Sequence, residues 1–70
     1  MAHAPATVLE LASSGANLHV TAGHAPDTYV EVARIVASLG THATLDLSRS
    51  APDTVQRASA AGGKHVTIIV

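Results

Sequence analysis

Two kinds of spacing alternate along the chain. Tyr29, Val32, Ala33, Val36 and Ala37 recur at three- and four-residue intervals, the pattern of an amphipathic helix, with Glu31, Arg34 and Ser38 on its other sides. The segments carrying Leu18, Val20 and Ala22, then Ala43, Leu45 and Leu47, then Val66, Ile68 and Val70 place apolar residues at every second position, as a strand with one buried face does. The positions between them, His19 and Thr21, then His42, Thr44 and Asp46, then His65, Thr67 and Ile69, are mostly polar and belong to the opposite face.

Proline and glycine punctuate this pattern. Pro5, Pro26 and Pro52 fit the first helical position, where the missing N–H costs nothing, and each pushes the Ala before it out of helical geometry. Asp27 and Asp53 then fall in first turns, where the helix dipole favours a carboxylate. Gly15, Gly40 and the pair Gly62-Gly63 read as helix ends and turns. Helices are predicted near residues 5–14, 26–39 and 52–61, and strands near 17–22, 42–47 and 64–70. A competing reading makes Val8-Leu9-Glu10-Leu11 a strand, paired in an antiparallel hairpin across residues 8–22.

The helix-strand phrase is written three times. Ala4-Pro5-Ala6-Thr7, Ala25-Pro26-Asp27-Thr28 and Ala51-Pro52-Asp53-Thr54 open the units, Ala-Ser follows at residues 12, 37 and 58, and His-x-Thr closes them at residues 19, 42 and 65. This divides a single domain into repeats over approximately 3–22, 24–48 and 49–70. Short connections between alternating helices and strands require parallel strands and right-handed crossovers. The expected fold is α/β: three αβ repeats in a two-layer unit, three helices packed on one face of a three-stranded parallel sheet, the second strand central. The phrase Ala43-Thr44-Leu45-Asp46-Leu47-Ser48 resembles the strand segment of a leucine-rich repeat, although Arg49 stands where that family's asparagine ladder would continue. The resemblance implies a short α/β solenoid whose exposed sheet face binds partners.

Composition narrows the function. Of 70 residues 47% are hydrophobic, yet 14 of these are Ala, so burial rests on eight Val, six Leu and three Ile, a small core for a domain this size. Cysteine is absent, which excludes disulfides, thiolate metal sites and cysteine nucleophiles. Four Lys and Arg against five Asp and Glu give a net charge of −1 without a basic stripe, which argues against nucleic acid as a partner. Apolar runs of a few residues argue against a membrane span, and Met1-Ala2-His3-Ala4-Pro5 lacks the cationic and apolar parts of a signal peptide, so a cytoplasmic protein is expected.

The candidate chemistry lies on the polar strand face. A noncatalytic module is expected, binding a protein partner or its own copy through His19, Thr21, His42, Thr44, Asp46, His65, Thr67 and Ile69 and through the sheet edges. If His19, His42 and His65 occupied matching positions on strands ~4.8 Å apart, they would form a row. The alternative function is then a zinc-binding or pH-responsive protein, with Asp46 as an oxygen ligand or ring-orienting partner. His3 and His24 precede Ala-Pro phrases and are assigned to loops. No Ser, His and Asp stand in an order that suggests a nucleophile with its base, so no enzymatic activity is expected.

Overall fold

The computed structural model describes residues 5–70; His3 and the Ala4 cap lie outside the described residues. The elements run α1 (Pro5–Ser13), β1 (Leu18–Val20), α2 (Pro26–Leu39), β2 (Ala43–Asp46), α3 (Pro52–Gly62), a 3₁₀ turn (Gly63–His65) and β3 (Val66–Ile69). The strands form one parallel sheet in the order β1-β2-β3, so β2 is central. This is the expected α/β unit, and residues 8–13, which a hairpin would need extended, are helical. Val8 and Ala12, one helical turn apart, are both buried in the core while Glu10 between them is exposed; a strand would put all three on one face.

The two later helices start alike. Ala25 (φ −64°, ψ 150°) and Ala51 (φ −67°, ψ 153°) are extended, a proline opens the first turn, and neither helix has a side-chain cap. Thr28 and Thr54, at the same place in the two phrases, are both buried. Their ends differ. Gly40 closes α2 in the left-handed region at φ 73° and donates its N–H to the Val36 carbonyl, a geometry that a side chain would strain.

The end of α3 corrects the sequence reading. Gly62 is not a cap but the last helical residue, and residues 64 and 65 belong to the 3₁₀ turn, so β3 starts only at Val66. The cause is a close approach. A Cβ built on Gly62 would lie 2.5 and 2.8 Å from the two γ-carbons of Val66 and 3.1 Å from the Ala33 Cβ. The missing side chain lets α3 continue one residue further against α2 and the root of β3, and the chain then turns tightly through Gly63.

The core lies between the helices and one face of the sheet. Leu45 and Ala43 of the central strand are fully buried, as are Val32, Ala33 and Val36 of α2, Ala12 of α1 and Ala58 of α3. Tyr29 is 1% exposed. Its hydroxyl donates to the Thr21 carbonyl at 2.8 Å and accepts the His24 N–H at 3.3 Å, while the His24 ring stands edge-on to it. The single aromatic thus fills the core with its ring and ties down the β1–α2 loop with its oxygen.

Candidate functional site

The positions between the buried strand residues form the face that no helix covers. His19, Thr21, His42, Thr67 and Ile69 are exposed, and Thr44, Asp46 and His65 are half-buried. The parity expected from sequence therefore holds, except that Val70, expected on the helix side, is 85% exposed beyond the end of β3. The expected alignment of the histidines does not hold.

Register explains the difference. Leu18 lies opposite Ala43, an offset of 25 residues, and Ala43 opposite Val66, an offset of 23, whereas the histidines are 23 residues apart in both steps. His19 is accordingly displaced by two residues and faces Thr44, which faces Thr67. An even displacement keeps the side chain on the same face but moves it along the strand. His42 and His65 stand just before β2 and β3, in the same row as Asn17.

The rings also turn to different partners. The Nε2 of His42 meets the Thr67 hydroxyl at 3.0 Å. The Nδ1 of His65 lies 3.0 Å from the Thr41 carbonyl, and since a carbonyl only accepts, this nitrogen carries the proton. Among the described residues no group of three or more His, Asp or Glu is placed to hold a metal ion. His19, His42 and His65 do not converge on one point.

Two residues acquire roles that composition and periodicity did not assign. The Asn17 side-chain oxygen accepts the His42 N–H at 3.0 Å, next to the ladder bond from the Leu18 N–H to the His42 carbonyl at 3.1 Å. A side chain thus continues the β1–β2 pairing where the strand backbone stops. Ser48 donates to the Asp46 carboxylate from its hydroxyl at 2.6 Å and from its backbone at 3.1 Å, closing a turn after β2. The Asp-x-Ser spacing was the available signal for this turn. Both bonds of Ser48 go to the Asp46 carboxylate, which makes it a turn residue.

These bonds hold the Asp46 carboxyl below its ordinary value of 3.8, with His19 and Arg49 adding smaller favourable fields. A lowered carboxyl stabilises the fold above its ordinary range, and that contribution disappears as pH falls through the lowered value. Titration of the Asp46 carboxyl by NMR is expected to give a midpoint below 3.8, moving back up in Ser48→Ala. An unchanged midpoint in Ser48→Ala would mean that the hydroxyl does not hold the shift, which would then fall to the backbone N–H of residue 48 ahead of His19 and Arg49.

Away from the sheet, Arg34 pairs with Glu31 on α2 and Arg57 reaches Asp27 at 3.4 Å; both pairs are solvated and contribute little. Comparison with protein-family models, with curated proteins and with solved structures returns no match. Among the described residues no helix is long and apolar enough to cross a membrane.

Proposed function

We propose that the chain is a noncatalytic interaction module that binds protein, its own copy first, through the open face and free edges of its sheet. The observation that carries this reading is the one-sided sheet: helices cover one face, the other is bare, and β1 and β3 each have one unpaired edge among the described residues. Parallel sheets ordinarily have both faces covered, and a free edge offers a row of unpaired backbone groups to another chain. Ile69 interrupts the polar face with 39% of its surface exposed, and Val70 beside it is 85% exposed. Histidine and threonine supply directional hydrogen bonds over the rest of the face. A cytoplasmic setting is part of the proposal, as is the threefold repeat that would present one such surface per unit.

Sedimentation over a range of concentrations tests the reading directly. Association is expected, and Ile69→Lys, which puts a charge on the β3 edge, is expected to weaken it at least about tenfold. A chain that stays monomeric at every concentration, or a lysine variant that associates as well as the parent, would sink it.

A further inference from the structure

We infer that copies of this chain join head to tail, β1 of one copy pairing in parallel with β3 of the next, so that the sheet continues across the junction as it runs within the chain. The inference rests on the self-association reading and gives it a geometry.

The backbone groups on the two edges have the right phase. Leu18 donates its N–H to His42 and Leu47 donates to Ile69, so Leu18 and Ile69 turn their peptide groups toward β2. Successive residues of a strand alternate, which leaves Val66 and Ile68 directing their N–H and C=O outward from β3, and His19 outward from β1. In a parallel ladder one residue is bracketed by two on its neighbour. His19 of one copy bracketed by Val66 and Ile68 of the next lies opposite Thr67. That is the row already present inside the chain, where His19 faces Thr44 and Thr44 faces Thr67.

The flanks are unfinished in a matching way. On the central strand Ala43 and Leu45 are fully buried; of their counterparts on the outer strands Val20 is buried, but Leu18, Val66 and Ile68 are only half-buried. A groove of about 340 Å³ opens on the β3 side, lined by Leu47, Pro52, Val55 and Val70 among others. A further helix-strand unit would close this flank as α2 and β2 close the middle of the molecule.

Charge selects head-to-tail over like-to-like contact. Counting Asp, Glu, Lys and Arg, residues 5–22 carry −1, from Glu10, and residues 49–70 carry +2, from Arg49, Arg57 and Lys64 against Asp53. Joining the first unit to the third brings opposite signs together, whereas pairing β3 with a second β3 brings +2 against +2. Because the two surfaces are different, a joined pair still presents one free edge of each kind, and growth proceeds beyond the dimer to a larger ring or an open filament.

The absence of cysteine makes a decisive test simple. His19→Cys and Thr67→Cys are prepared as separate single variants, each checked for the parent's circular dichroism. Within one chain these positions sit on opposite outer strands, about 9.6 Å apart, beyond the ~7 Å limit for a disulfide. Mild oxidation of the mixture is expected to give a covalent heterodimer, with little cross-linking of either variant alone. Efficient cross-linking of Thr67→Cys by itself would overturn the head-to-tail geometry in favour of β3 against β3. Absence of cross-links in a mixture that still sediments as oligomers would also overturn it, while leaving self-association intact. The unaltered chain supplies an independent check: species larger than a dimer are expected as concentration rises, and a dimer that grows no further refutes the inference. A strict monomer refutes both the geometry and the reading beneath it.

Discussion

Replacing Leu45 with alanine is expected to destabilise the chain by about 2–5 kcal/mol, the range for emptying a fully buried leucine site. Leu45 is 0% exposed on the central strand, with a strand on either side and α2 in front of it, so few neighbours can move in to fill the space. A chain of 70 residues has roughly 4–10 kcal/mol of total stability at ~0.05–0.15 kcal/mol per residue, so the substitution removes a large fraction of it. The melting temperature followed by circular dichroism should fall by roughly 8–40 °C, at ~4–8 °C per kcal/mol for a domain of this size. Leu11→Ala is the control: that residue is 42% exposed, and a loss within about 0.5 kcal/mol is expected. Equal losses for the two variants would mean that β2 is not the centre of the core.

Gly62→Ala should also destabilise, although helix propensity alone predicts the reverse. Gly62 is helical (φ −96°, ψ −27°), where alanine is favoured by about 0.5–1 kcal/mol. The new methyl would sit 2.5 Å from a γ-carbon of Val66, a short, branched side chain with little room to withdraw, and overpacking of this kind costs about 1–3 kcal/mol. The steric term is the larger, so a net loss of roughly 1–2 kcal/mol is expected. The double variant with Val66→Ala separates the two contributions. Once the γ-carbons are gone, Gly62→Ala should become neutral or stabilising, a coupling that denaturant unfolding measures directly. If Gly62→Ala destabilises equally in both backgrounds, the contact with Val66 is not the reason glycine is required.

The parts of the fold that depend on local chemistry could be read from the chain. Pro26 and Pro52 fix helix starts, Gly40 fixes the end of α2, and the alternation at Ala43, Leu45 and Leu47 fixes which strand face is buried, because each acts within a few residues. Register could not be read this way. Equal histidine spacing suggested an aligned row, but alignment depends on how many residues each crossover consumes, and the first consumes two more than the second. The 3₁₀ turn at Gly63–His65 was hidden for a related reason: it follows from Gly62 meeting Val66 and Ala33, a contact between elements that no local pattern encodes. The roles of Asn17 and Ser48 lie between these cases. Ser48 acts on a neighbour two residues away and left a readable trace, whereas Asn17 acts on a residue 25 positions distant.

Tyr29 has a use beyond stability. The chain contains no tryptophan and no phenylalanine, so every aromatic signal in its near-ultraviolet spectrum comes from one ring whose hydroxyl holds the Thr21 carbonyl. Tyrosine emission and near-ultraviolet dichroism therefore report on a single place, the junction of β1 with α2, free of overlap from any other chromophore. If β1 is an edge that another chain grips, that junction lies next to the contact, and an unlabelled optical signal follows assembly in real time.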